Sequence, residues 1–385
     1  MKSIIHFSGD DYWNSNPHSR YHITKNFIGL GYKVLWINPL GTRFPSIKKK
    51  NFSNRILRKL KSIFKFLNKA EDNLYVYTPV LLPVFKTGFY FNLNKILFLV
   101  QMSFITAVLG IKKPVLFFST PLYAFALSLI SYSKSIYYYS DYYTAYRELN
   151  NSSRGYLEFL DGILYRNADS VFCASREIYS GLISKNNRKN IYYLPHAVDF
   201  EHFNSGRGKN NTLPHDIQSV KHPVVGYYGT LTDSNDWDII DYCSKERPDY
   251  NFVFIGRKDI SLPQLENRSN VFFLGKKSYS ELPLYASHFD VCIMFWVRRE
   301  WIKNSSPLKL NEYLALGKPV VSTFIEEVNS NYNDVVQIAE TKEEFLEQLD
   351  KVLKSDNTEQ IEKGLQIVKE SSWRSVAEKI LRGTE

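Results

Sequence analysis

Cysteine is scarce in this chain, with three in 385 residues, at Cys173, Cys243 and Cys292. Each lies inside an apolar run, with no Cys-x-x-Cys pair and no histidine cluster nearby, which argues against a disulfide framework and a zinc site. Buried free thiols in a reducing compartment are expected instead. The opening Met1-Lys2-Ser3-Ile4-Ile5-His6-Phe7 meets polar Ser8-Gly9-Asp10-Asp11 too soon for a signal-peptide core, which predicts a cytoplasmic protein. Long apolar runs are also missing. The longest, from Ile96 to Gly110, covers about 15 residues and contains Gln101, Ser103 and Thr106, whereas a membrane span needs about 20. It reads as a buried helix. No segment is low in complexity, which confines expected disorder to short loops.

One absence is local. Between Arg43 and Lys69 there are ten basic residues and no acidic one, within a chain of net charge +10. Ile56, Leu57, Leu60, Ile63, Phe64 and Leu67 recur there at helical spacing, so the stretch reads as a basic amphipathic helix. Such a helix either packs on its own domain or lies in an anionic membrane surface, and membrane contact is the favoured reading. Lys48, Lys49, Lys50, Arg55, Arg58 and Lys59 are the membrane candidates. No nucleic-acid-binding motif accompanies the patch, so nucleic acid is not an expected partner.

What is present is enough for two cores. Hydrophobic residues make up 44% of the chain and aromatics 15%, and 385 residues suit two domains of about 180 each. Short β-rich runs at 3–7, 33–38, 74–78, 115–119, 136–140, 170–174 and 191–194 alternate with helical segments, the pattern of an α/β domain with a parallel sheet. A polar stretch, Ser205-Gly206-Arg207-Gly208-Lys209-Asn210-Asn211, reads as a linker. The alternation then resumes at 224–228, 251–255, 271–273, 290–295, 319–323 and 335–338. Domains are expected at 1–204 and 212–370, and the last segment, 371–385, has helical spacing.

The most informative run is Asn304-Ser305-Ser306-Pro307-Leu308-Lys309-Leu310-Asn311-Glu312, followed by Gly317-Lys318-Pro319-Val320-Val321-Ser322. A polar loop leads into a short helix with Lys309 and Glu312 one turn apart, Gly317 ends it, and a buried strand follows. Backbone N–H groups at a helix start with a lysine in the first turn suit a diphosphate, and a carboxylate one turn on suits paired ribose hydroxyls. Ser305 and Ser306 suit helix capping and phosphate contact alike.

This run resembles the nucleotide-sugar site of glycosyltransferases with two Rossmann-like domains, the GT-B fold. In retaining family 4 of that class two glutamates eight residues apart flank the loop; here Glu312 is the second, and Asn304 stands at the first. Pro307-Leu308-Lys309, with Gly226-Tyr227-Tyr228-Gly229 and Asp236-Trp237-Asp238-Ile239-Ile240, is similar to bacterial enzymes of the teichuronic-acid and xanthan glucuronosyltransferase type. The resemblance implies a cleft between two domains, a terminal helix crossing back to the first, and uridine diphosphate as the default nucleotide. It implies a donor site at Lys309, Glu312, Ser305, Ser306, Leu308, Gly229 and Thr230, with Arg257 at a second strand end.

Asp236-Trp237-Asp238 spells a metal-diphosphate pattern known from the other major glycosyltransferase fold, but it precedes Ile239-Ile240 and reads as a helix start. No metal or other cofactor is expected. A general base should come from the first domain, and Asp141, after the aromatic strand, is the candidate, similar in place to the aspartate proposed in the xanthan-type enzymes. It could equally cap a following helix, expected at 142–149. Asp10, Asp11, Trp13, His18 and Arg20, in the long loop after the first strand, are the other acceptor-side candidates. Base-assisted in-line attack inverts the anomeric carbon, whereas the retaining relatives react on the donor's own face; both routes stay open, with Asn304 and Asp141 on the side of inversion.

The expectation is a metal-independent glycosyltransferase at the inner face of the cell membrane, taking a nucleotide-diphosphate sugar to a lipid-linked bacterial surface glycan. Its rivals are a hydrolysing sugar-nucleotide epimerase and a non-catalytic membrane scaffold, because fold alone does not assign function.

Overall fold

The structure, a computed structural model, describes residues 1–39, 66–82, 88–145, 151–185, 188–207 and 213–383, without the side chains of 151–153. Lys48, Lys49, Lys50, Arg55, Arg58 and Lys59, and with them most of the expected amphipathic helix, lie outside the described residues.

The chain forms two α/β units, Met1–Pro195 with Ala377–Glu385, and His196–Val376. The boundary at Pro195 precedes the polar stretch at which the sequence suggested a linker. The helix Phe200–Asn204 and the turn Ser205–Arg207 already belong to the second unit.

The first unit holds an eight-stranded sheet, ordered β3-β4-β2-β1-β5-β6-β7-β8. Its strands are β1 (Ser3–Phe7), β2 (Lys33–Ile37), β3 (Leu67–Glu71), β4 (Leu74–Tyr77), β5 (Val115–Phe118), β6 (Lys134–Tyr139), β7 (Ser170–Cys173) and β8 (Ile191–Tyr193). All neighbours are parallel except β3 and β4. Every residue of β1 is buried, as expected of a strand covered on both faces and therefore apolar at successive positions. The exceptions are Ser3, at its start, and His6, whose Nδ1 lies 2.7 Å from Thr24 Oγ1 and whose Nε2 lies 2.8 Å from Ser119 Oγ. Burial, with Arg20 beside it, holds this imidazole well below its ordinary pKa.

Two helical expectations fail in this unit. Leu67 and Lys69, placed by periodicity on the end of the amphipathic helix, instead lie in the antiparallel edge strand β3. Asp72-Asn73 turns the chain there, with Asn73 in the left-handed region at φ 63°, a conformation asparagine tolerates, and Lys69 pairs with Asp72 at 2.6 Å. The run from Ile96 belongs to a longer helix, Phe89–Leu109, of 21 residues, long and apolar enough to cross a membrane. It is not a buried helix: Asn94, Phe98, Met102 and Ile105 face the core, while Ile96, Val100, Phe104 and Val108 are exposed.

The second unit holds a six-stranded, wholly parallel sheet ordered β11-β10-β9-β12-β13-β14. Its strands are β9 (Val224–Tyr228), β10 (Asn251–Ile255), β11 (Val271–Gly275), β12 (Val291–Met294), β13 (Val320–Thr323) and β14 (Val336–Ala339). One side packs Tyr228, Val253, Cys292 and Met294 against Phe289, Leu310 and Tyr313, and the other packs Tyr227, Phe252 and Phe254 against Trp237, Phe345 and Leu349. The helix Lys342–Lys354 shows how local sequence sets an element. Thr341 caps it by accepting from Glu344 N, glutamates occupy its first turn and lysines its last, and Phe345, Leu346, Leu349 and Val352 are its buried side. All three cysteines are buried and free, as expected.

Beyond the ends of β9 and β10 two glycines meet. Gly256 has φ +148°, and a Cβ there would stand 1.8 Å from the carbonyl oxygen of Gly229. Gly256→Ala should therefore combine backbone strain with overpacking and cost about 3 kcal/mol of unfolding free energy. Urea denaturation would measure it, and a loss below about 0.5 kcal/mol, the range of ordinary surface changes, would remove this contact from the account.

Candidate functional site

In an open parallel sheet the strand order reverses at one strand, and a crevice opens beyond its C-terminal end because the flanking connections leave in opposite directions. In the second unit that strand is β9, between β10 and β12. Two of the sequence motifs converge at this point. β9 ends in Tyr228-Gly229, and from the helix Leu308–Ala315 Lys309 reaches back to it. Its Nζ donates to the Tyr227 hydroxyl at 2.8 Å, lies 5.0 Å from the Trp296 ring centroid, and would be 2.6 Å from a Cβ placed on Gly229. Gly229 is thus required twice, by its φ of +147° and by the room its missing side chain leaves for the ammonium. Burial by itself would raise the Tyr227 phenol, but the Lys309 ammonium outweighs it and holds the phenol below its ordinary pKa.

The helix carrying Lys309 is tied down on its other side. Tyr313 accepts from the backbone N–H of Tyr228 at 3.1 Å, and Asn311 donates to the carbonyl of His196 at 3.0 Å while accepting from the Tyr332 hydroxyl at 2.8 Å. Trp296, just past β12, is pinned by Thr323, whose hydroxyl accepts from its N–H at 3.0 Å and donates to its carbonyl at 2.9 Å. Tyr227, Trp296, Tyr313 and Asn311 were not singled out from the sequence. Both tyrosines of Gly226-Tyr227-Tyr228-Gly229 are buried, and strand alternation shows only that they point to opposite faces, not which one meets the lysine.

Glu312 sits one turn beyond Lys309. Burial pushes its carboxyl up to about 7, against the opposing pull of the Tyr228 phenol and the Lys309 ammonium. Near neutrality this group can therefore accept or donate a hydrogen bond. The serine caps do not form: Pro307 takes the N-cap position without a side-chain cap, and the Ser305 hydroxyl donates back to the carbonyl of Ile302 at 2.7 Å. A preceding helical turn, Glu300–Lys303, captures Ser305 before the main helix begins. Asn304 is buried against that turn, donating to the Glu300 carbonyl at 2.8 Å. Ser306 and Leu308 are half-buried beside Pro307, and Thr230 is exposed. The backbone carbonyl of Arg257 accepts from Leu231 N at 2.9 Å, while its exposed guanidinium pairs with Asp259 at 2.6 Å rather than with the Lys309 cluster. Asp236 and Asp238 lie at the start of the helix Trp237–Glu246, as expected, although the Asp236 side chain makes no cap bond.

In the first unit the reversal falls at β1, between β2 and β5. Three of the sequence candidates meet there on one guanidinium. Arg20, buried at the start of the helix Ser19–Gly29, donates to Asp10 at 2.9 Å, to Asp141 at 2.6 Å, to Ser140 at 2.9 Å and to the carbonyl of Ser119 at 3.2 Å. It also donates to Tyr143, whose hydroxyl passes its own proton to the Ser119 carbonyl at 2.7 Å. The ends of β1, β5 and β6 are thereby joined, and the Asp141 carboxylate remains partly open to solvent. Of the helix expected at 142–149, the described residues show a short turn at Tyr143–Ala145, and 146–150 lie outside them. Asp11 shapes its own loop by accepting from the backbone N–H groups of Trp13 and Asn14, Trp13 is exposed, and His18 stands at the N-cap of the following helix.

Comparison with known proteins defines the class. Residues 223–355 match the family of glycosyl transferases group 1, which covers most of the second unit. The Bacillus subtilis (strain 168) protein TuaH, named as a teichuronic acid biosynthesis glycosyltransferase, is 26% identical over 219 residues, which are 54% of this chain and 55% of that protein. The chain thus spans about 55% of the length of the curated relative it matches. Among solved structures, Anabaena Alr3699/HepE in complex with UDP and glucose superposes with a TM-score of 0.66 at 14% identity, covering 99% of both chains. A trehalose-6-phosphate structure from E. coli bound with UDP-2-fluoro glucose gives a TM-score of 0.70 at 11% identity, over 99% of this chain and 98% of that one. The fold is GT-B, two Rossmann-like domains, and residues 223–355 of its second unit are similar to glycosyl transferases group 1.

The raised Glu312 carboxyl ties stability to pH. Its unfolded counterpart loses its proton near 4.5, the folded one only near 7, so ionisation favours the unfolded state increasingly between these values, fully above 7 and not at all below 4.5. Glu312→Gln should therefore be more stable than wild type at pH 8, by on the order of 3 kcal/mol at most, and converge with it at pH 4. Thermal unfolding at the two pH values measures this, and an equal difference at both would mean that Glu312 titrates normally.

Proposed function

We propose that this protein is a glycosyltransferase that moves a sugar from a nucleoside diphosphate donor, UDP by default, to a lipid-linked bacterial surface glycan, without a metal ion. The observation that carries the reading is the meeting of Lys309, Glu312 and Gly229 at the reversal point of the second sheet, inside a group 1 glycosyl transferase domain. Lys309 is the cation for the departing diphosphate, held at the end of β9 by the Tyr227 hydroxyl and the Trp296 ring. Glu312 takes the ribose hydroxyls, and Ser305, Ser306, Leu308, Gly229 and Thr230 line the phosphates. The bond from the anomeric carbon to the diphosphate breaks, a bond to the acceptor oxygen forms, and the acceptor's proton passes to a carboxylate, for which we assign Asp141. Its ion pair with Arg20 orients that carboxylate. The similarity to a protein named for teichuronic acid biosynthesis supports the surface-glycan reading, and with such an acceptor the enzyme would work at the inner face of the cell membrane.

Calorimetric titration with uridine, guanosine, adenosine and thymidine diphosphates, each with and without magnesium, tests the donor half: UDP should bind without metal, and failure of all four would overturn the reading. Lys309→Ala should lower turnover of the donor at least about 100-fold, equivalent to roughly 2.7 kcal/mol of transition-state stabilisation, with the fold intact. Asp141→Asn should abolish transfer while UDP affinity stays unchanged; substantial residual transfer would point to the retaining route.

A further inference from the structure

The helix Phe89–Leu109 shows two opposite sides. Inward, Phe98 packs on Tyr123 and Phe125 at ring distances of 5.7 and 5.3 Å, with Met102 and Ile105 buried beside it. Outward, Ile96, Val100, Phe104 and Val108 repeat every fourth residue and form one row along the helix, each about 60% exposed. Apolar residues so exposed and so regularly placed are unusual for a helix facing water.

A second element widens the row. Gln101 accepts from the N–H of Val80 and donates to its carbonyl, each at 3.0 Å, and Asn94 does the same for Leu82 at 2.8 and 3.0 Å. Two amide side chains thus clamp the backbone of residues 80–82 along the helix, and the side chains of Val80 and Leu82 are exposed beside it. With its peptide groups satisfied by the helix, this segment offers an outer partner chiefly side chains. The clamp and the buried residues also fasten the helix to its sheet. It cannot leave the first unit to span a bilayer without unpacking that core.

We propose that the outward face of the Phe89–Leu109 helix, with Val80 and Leu82, is a docking surface for a membrane carrying anionic lipids. Charge selects this occupant. The helix has no acidic residue, Lys112 and Lys113 are exposed just past its end, and the chain carries +10 overall, so a second copy would bring like charge to like. A helix lying flat, apolar on its outer row and flanked by lysines, suits a lipid interface: the row enters the boundary between headgroups and acyl chains while the ammonium groups meet phosphates. This names the surface by which the proposed enzyme meets its membrane, and it stands on the helix rather than on the donor site.

Co-sedimentation of the full chain with phosphatidylcholine vesicles, with and without phosphatidylglycerol and with no donor or acceptor added, tests it apart from any transferase activity. Wild type should pellet with the mixed vesicles. A triple variant, Ile96→Ser with Val100→Ser and Phe104→Ser, should lose at least about tenfold in partitioning, with its circular dichroism and melting unchanged because all three side chains are exposed. In Phe104→Trp the added emission should be quenched by brominated lipid. Wild type remaining in the supernatant, a triple variant that binds like wild type, or a wild-type dimer that the triple variant dissolves would each overturn the proposal.

Discussion

Residue 229 has no side chain, and into the space this leaves the Lys309 ammonium is delivered from a helix 80 residues further along the chain. A cation at the end of a buried strand needs partners, and the second unit supplies a phenol and an indole rather than a carboxylate. The charge is therefore held by the protein through a hydroxyl and a ring face, with the Glu312 carboxyl one turn away. Much of the surrounding architecture serves that placement. The parallel order sets β12 beside β9, Gly256 lets β10 crowd Gly229, and Tyr313 with Asn311 holds the helix at a fixed height.

The first unit is organised by an opposite arrangement, one cation shared between two carboxylates. Arg20 is buried, and its planar fork donates from three separate nitrogens to groups at three strand ends, a spread that the single nitrogen of a lysine lacks. The site is polar, prearranged and carries net negative charge at its rim. That differs from the second unit's site, where the ammonium is held by a phenol and an indole with the Glu312 carboxyl one turn away. The two halves of the chain share a fold and differ in what they gather at the reversal point: one a lysine among aromatic side chains, the other an arginine between two carboxylates.

The strands were readable because parallel strands buried on both faces are written as short apolar runs; β1, β9 and β10 lie where the composition placed them. The short helix carrying Lys309 and Glu312 was readable because Pro307 and Gly317 mark its ends. The errors arose where a local pattern fits two partners. Leu67 continues a helical stripe as well as it opens a strand, and pairing with β4 decides in favour of the strand. Ser305 could cap forward, yet a preceding turn takes its hydroxyl.

The composition of the helix Phe89–Leu109 showed that it was apolar but not which of its sides found a core, because apolar residues run nearly all round it. By itself the sequence determined the alternation of strands and helices, the free thiols, the basic stretch and the lysine-bearing helix start, since each depends on residues near in the chain. The tertiary structure alone decided that Tyr227 and Trp296 receive Lys309, that Arg20 gathers Asp10 and Asp141, and that a row of aliphatic side chains faces outward. Those outcomes depend on contacts between residues far apart in the chain, and no local spacing records them.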